Sequence, residues 1–123
     1  MSYLSSELQV NQTMDMKLTI IEPSGILDAI KGNQLRREVS DVISKQTDLD
    51  VLLIDLKDVS FIDSSGLGAL VSAMQIVRNA NAKLFVCSAS AQVKMLFELT
   101  KVDRIIQNFA DREEFNRQVL SVQ

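Results

Sequence analysis

The chain has 123 residues, 46% hydrophobic and 24% charged, with Lys+Arg 13 against Asp+Glu 16, a net charge of −3 and no histidine. These values fit one globular domain over residues 1–123. They exclude a disordered tail or a membrane-embedded protein and argue against nucleic acid or an anionic bilayer as partner. With a single Cys87 and no His, an internal disulfide, a zinc site and every Ser-His or Cys-His catalytic pair are excluded, so neither metal nor cofactor is expected.

The opening MSYLSSELQV has neither a basic n-region nor an apolar h-region. No run approaches the ~18 apolar residues of a spanning helix, so a cytoplasmic location is the expectation. Leu8-Gln9-Val10, a turn at Asn11-Gln12-Thr13, and the β-rich Leu18-Thr19-Ile20-Ile21 predict a pair of edge strands, ended by Pro23-Ser24-Gly25. Leu35, Val39, Val42 and Ile43 then recur at helical spacing from about Asn33, which is the expected N-cap, with Arg36 and Arg37 on a solvated face.

Val51-Leu52-Leu53-Ile54 is continuously apolar, as a strand covered on both faces should be. A helix over about Gly66–Ala80 follows, with one stripe of Leu67, Leu70, Val71, Met74 and Val77 and a second of Ala69, Ala73, Ile76 and Ala80. So wide an apolar face predicts burial on more than one side. Asn79–Ala82 is a turn and Leu84–Cys87 a strand, in which Cys87 is a small buried hydrophobe. Ser90 caps a helix bearing Val93, Leu96 and Phe97, and Met74, Met95 and Phe97 are expected in the core. Ile105-Ile106 is a candidate strand. Asp111 through Glu114 resembles a capping box before a last helix with Phe115, Val119 and Val122 on one face. Alternating strands and helices predict an α/β domain with right-handed crossovers.

The densest constellation is Phe61-Ile62-Asp63-Ser64-Ser65-Gly66-Leu67-Gly68, where a strand gives way to a helix. As a dinucleotide fingerprint it has only two of three glycines, and no Asp or Glu lies between residues 64 and 97 to hold a ribose. A phospho-aspartate site fails as well, because Asp55, Asp58 and Asp63 are scattered along one connection. The plain reading is a helix cap by Asp63, Ser64 or Ser65, worth about 1 kcal/mol. The functional one is an accessible serine hydroxyl at a helix start, flanked by glycines, where added phosphate changes the local charge without remodelling the fold.

Asp-Ser-Ser-Gly-Leu-Gly, preceded by Val51–Leu56 and Val59-Ser60-Phe61, closely resembles the STAS domains of bacterial anti-sigma-factor antagonists. The resemblance runs from about Leu18 to Leu120 and includes Gly25-Ile26-Leu27-Asp28 and Val93–Phe97. It implies a STAS fold, a mixed sheet of four or five strands with about four helices packed mainly on one side. It also implies a non-enzymatic module, a monomer or weak dimer, phosphorylated on the serine after the aspartate, Ser64, with Ser65 as runner-up. Unphosphorylated, such a module binds an anti-sigma factor that is also a serine-protein kinase and so relieves a sigma factor; a serine phosphatase restores it. The implied partner-binding residues are Asp28, Asp63, Ser64, Ser65, Gly66, Leu67 and Gly68. The alternative is a STAS regulatory or structural subunit of a transporter or other signalling complex, without phosphoserine control. Two departures stand out: Ala29–Asn33 lacks the family's polar, Thr-containing run, and Thr100-Lys101 replaces its Ser/Thr-Gly.

Overall fold

A computed structural model of the chain describes residues 16–120. The β-branched run Leu18–Ile21 forms β1, and β2 (Ser24–Leu27) follows directly after Pro23. Helix α1 (Ala29–Lys45) leads to β3 (Val51–Asp55), β4 (Asp58–Ile62), α2 (Ser64–Asn79), β5 (Lys83–Cys87) and α3 (Ala91–Leu99). A short 3-10 turn at Val102–Arg104, β6 (Gln107–Phe109), the one-turn α4 (Arg112–Phe115) and a π-helical turn at Asn116–Leu120 complete it.

The strands form a four-stranded sheet in the order β1-β3-β5-β6 and a separate β2-β4 pair. Every described pairing is parallel, so the expected mixing of strand directions does not occur among the described residues. The strand expected at Leu8–Val10, the turn after it, and Val122 lie outside those residues.

Central β3 is buried at every position, as its unbroken apolar run requires. Leu52 and Ile54 face the larger core, shared with Leu35 and Val39 of α1, Leu70 and Val77 of α2, and Val93 and Phe97 of α3. Val51 and Leu53 face the other side, where Phe85, Phe109 and Phe115 form a tilted trio with ring centroids 5.6–6.0 Å apart. Three long helices cover one face and the short C-terminal elements the other, which meets the expectation of helices mainly on one side.

Four local expectations change. The N-cap of α1 is Asp28, whose carboxylate accepts from the Lys31 N–H at 3.0 Å, and Asn33 lies inside the helix. The missed first turn carries no stripe: Ile30 faces solvent and Gly32 has no side chain to register. Met95 is 60% exposed, because two residues after Val93 a helix has rotated about 200° and points away from the core. Ile105-Ile106 follows the 3-10 turn, with Ile106 buried and Ile105 exposed, and pairing with β5 begins at Gln107. The terminal helix is helical only to Phe115 before it widens.

The other caps are as expected. Ser90 accepts from Val93 N–H, and Asp111 accepts from Glu114 N–H while the Glu114 carboxylate reaches back to the Ala110 N–H at 2.7 Å. Lys101, where the resemblance leads one to expect glycine, takes the left-handed conformation with φ 65°, at the expense of some backbone strain.

Candidate functional site

Two strand-to-helix junctions lie side by side. Leu27 and Ile62 are partners in the parallel β2-β4 ladder, so the next residues, Asp28 and Asp63, stand at adjacent ladder ends. The Asp63 N–H donates to Leu27 C=O at 3.3 Å, extending the ladder by one bond. Each aspartate then caps its own helix: Asp28 Oδ1 accepts from Lys31 N–H, and Asp63 Oδ1 accepts from Gly66 N–H at 2.9 Å. The plain capping reading is therefore correct for Asp63, while Ser64 and Ser65 are the first helical residues, both exposed.

What holds the two junctions together is small side chains. A Cβ on Gly66 would lie 2.0 Å from the Leu27 carbonyl oxygen, so only glycine lets the first turn of α2 press on the end of β2. A Cβ on Gly32 would sit 2.8 Å from Ala69 Cβ, the close crossing of α1 and α2. Upstream, Gly25 has φ 80° at the register shift between Gly25 and Ile26, a conformation open to glycine at no steric cost. That irregularity sets the register by which Leu27 meets Ile62.

The run expected to meet a partner divides in two. Ser64, Ser65 and Gly68 are exposed and Asp28 and Asp63 are half-buried, whereas Gly66 and Leu67 are buried. Leu67 is 7% exposed and belongs to the core, so it and Gly66 seat the loop and do not present a surface to a partner. A Cβ on Gly68 would meet nothing within 4 Å. Gly68 lines a groove of about 350 Å³ between α1 and α2 with Ser65, Ser72, Asn33 and Arg36.

The sequence pattern missed the apolar rim. Ile26 and Phe61 are ladder partners on the exposed side of the β2-β4 pair, 53% and 46% exposed, and Ile30 in the first turn of α1 is 70% exposed. The signal was present in the period of two along Gly25–Leu27 and Phe61-Ile62, where one residue of each pair had to face away from the core. Arg36 is exposed, as expected, and its guanidinium bonds to Asn33 Oδ1.

A second acidic strand end differs in kind. Asp55, at the end of β3, is 2% exposed, and Arg112 Nε and Nη2 donate to its Oδ2 at 3.1 and 2.9 Å. Burial alone would raise the Asp55 carboxyl, but the Lys57 N–H and the Arg112 guanidinium outweigh it and hold the group below the usual carboxylate range. Arg112 also pairs with Glu22, which lies 3.5 Å from Lys57 Nζ. Burial raises the Cys87 thiol, which favours its protonated, unreactive form.

Among the described residues no three His, Cys, Asp or Glu are grouped to hold a metal, and no helix is long and apolar enough to cross a membrane. The arrangement offers two exposed hydroxyls, those of Ser64 and Ser65, at the first turn of a capped helix whose start lies beside that of a second capped helix.

A family model described as the STAS domain matches residues 7–115. The anti-sigma-B factor antagonist of Bacillus subtilis is 30% identical over 90 residues, covering 73% of this chain and 80% of that protein. A solved anti-sigma factor antagonist from Mycobacterium paratuberculosis superposes with a TM-score of 0.73 at 19% identity, covering 85% of this chain and 86% of that one. The STAS domain of the SulP transporter from Vibrio cholerae gives 0.66 at 17% identity, covering 79% and 76%. At such identities the two solved structures speak for the fold alone.

Proposed function

The chain belongs to the STAS domain family, among its anti-sigma factor antagonists, and from that premise we propose that it is a binding module gated by phosphorylation of Ser64. Unphosphorylated, it docks on an anti-sigma factor that is also a serine kinase; the phosphorylated form is released and a serine phosphatase resets it. The observation that carries this reading is the position of Ser64: an exposed hydroxyl immediately after the Asp63 cap, at ladder ends that also carry the Asp28 cap, on strands and a helix start that leave Ile26, Ile30 and Phe61 exposed. Exposed apolar side chains of that size on the elements that carry the two caps suit a protein partner.

Phosphate adds about −1.5 to −2 charge at Ser64, next to two carboxylates already committed to caps. Two like charges 4 Å apart cost about 1 kcal/mol in water and about 4 kcal/mol at an effective dielectric of 20. Since each 1.4 kcal/mol is about tenfold in affinity, one phosphate in a partly desolvated interface weakens binding by about two to three decades. Backbone movement is not required, because the serine lies on the surface of a helix already formed.

The test is capture from the host by the tagged full chain, followed by calorimetry with the recovered partner. Ser64→Ala should retain the anti-sigma factor and resist release by ATP, while Ser64→Asp binds at least about tenfold more weakly. Fragmentation mass spectrometry after incubation with partner and ATP should place one phosphate on Ser64. Equal affinities of the two variants, or recovery of transporter subunits in place of a kinase, would replace this reading with that of a constitutive STAS subunit.

A further inference from the structure

At the end of the molecule opposite Ser64, a groove of about 800 Å³ opens where the C-terminus of α2, the start of β5 and the segment before β6 converge. Arg78 lies fourteen residues along α2 from Ser64, about 20 Å at the helical rise, so the two places are separate. Three cations line the groove, Arg78, Lys83 and Arg104, each from a different element, and Asp103 is its only acid. None of the three takes part in an ion pair among the described residues. Arg78 complements the C-terminal end of the α2 dipole. That does not account for Lys83 and Arg104, which come from a strand and a turn. In a chain of net charge −3, the local balance is three positive against one negative.

The rest of the wall is apolar or amide. Met74 is buried at its base, Phe85 is half-buried and Ile105 is 46% exposed, while Asn81 and Gln107 supply uncharged hydrogen-bonding groups. The volume lies in the range of small-molecule sites, about 300–1,000 Å³, which combine apolar walls with a few placed polar groups. A local charge of +2 matches a phosphomonoester, which carries about −1.5 to −2 near neutral pH, and arginine grips phosphate oxygens in bidentate fashion. We infer that this groove binds a small phosphomonoester with an apolar or ring-shaped body, its phosphate held by Arg78, Lys83 and Arg104 and its body lying against the exposed Ile105. This site is independent of Ser64 and stands or falls apart from the gating described above.

The probes are phenyl phosphate, inorganic phosphate and a six-residue polyglutamate peptide, each titrated calorimetrically into the full chain at low salt. Phenyl phosphate should bind saturably and at least about tenfold more tightly than inorganic phosphate, the ring supplying the difference. Amide chemical shifts should move at Lys83, Phe85 and Ile105 and stay fixed at Ser64. Arg78→Gln combined with Arg104→Gln should weaken phenyl phosphate at least about tenfold while leaving the circular dichroism spectrum unchanged. The proposal is overturned by no saturation up to about 10 mM, by undiminished binding in the double variant, or by shifts centred on Ser64. Tighter binding of the acidic peptide than of phenyl phosphate would assign the groove to a protein segment and likewise overturn it.

Discussion

Strand β3 ends in Asp55 and strand β4 is followed at once by Asp63, and the two aspartates are opposites. Asp55 is buried, doubly bonded by Arg112 and tied to the Lys57 backbone, so its charge holds the C-terminal turn against the sheet. Asp63 is half-buried, its oxygen takes one backbone bond from Gly66, and its neighbours Ser64 and Ser65 face solvent. The same residue type at the C-terminal side of a parallel strand is a lock in one case and the frame of an open surface in the other. What separates them is the cation: Arg112 reaches Asp55, and no Lys or Arg forms an ion pair with Asp63 among the described residues.

The largest expected effect tests how the open end is supported. Gly66→Ala drives a Cβ to 2.0 Å from the Leu27 carbonyl oxygen, and backbone cannot yield as a side-chain tip would. Chemical denaturation should show a loss of about 3 kcal/mol or more, beyond the usual range for overpacking. A near-neutral result would mean that the first turn of α2 does not press on β2 as described.

Next is the locked end. Arg112→Ala leaves the Asp55 carboxylate buried without its cation and should cost about 2–3 kcal/mol at pH 7, less than for a fully enclosed pair because Arg112 is about one third exposed. The pH dependence has a definite sign. The Asp55 carboxyl lies below its unfolded value in the native protein. Its stabilisation is thus present above the ordinary carboxylate range and is lost as pH falls through the lowered native value. Denaturation midpoints of wild type and Arg112→Ala should therefore converge in acid. A gap that persists unchanged down to pH 2 would place the loss in packing of the Arg112 stem and not in the ion pair.

The smallest effect has the opposite sign. Gly68 has open space where its Cβ would be, so Gly68→Ala should stabilise α2 by about 0.5–1 kcal/mol through helix propensity alone. The pair Gly66→Ala and Gly68→Ala thus sharpens the contrast within one hexapeptide, and a loss of stability in the second would show that the α1–α2 groove has less room than described.

Much of this was legible from pattern. The covered strand Val51–Ile54, the stripes of α2, the Ser90 and Asp111 caps and the left-handed turn at Asn81 each follow from local chemistry that burial leaves intact. Less legible was the first turn of α1, where an exposed Ile30 and a side-chain-free Gly32 erase the stripe and hide where the helix begins. Met95 misled for the converse reason: an apolar residue on a helix does not declare which face it occupies without its neighbours' phase. Within the candidate site, residue types did not separate buried Gly66 and Leu67 from exposed Ser64, Ser65 and Gly68, because that division depends on a carbonyl 39 residues upstream of Gly66, that of Leu27.

The sequence by itself determined the alternation of strand and helix, the Asp-Ser pair at a helix start and the family likeness, since periodicity and capping are short-range and act within a few residues. Only the tertiary structure set Asp28 beside Asp63, matched Arg112 to Asp55 and Glu22, and gathered Arg78, Lys83 and Arg104 around one groove. Those contacts join residues far apart along the chain, and their partners are chosen by ladder register and close helix packing, which no local window contains.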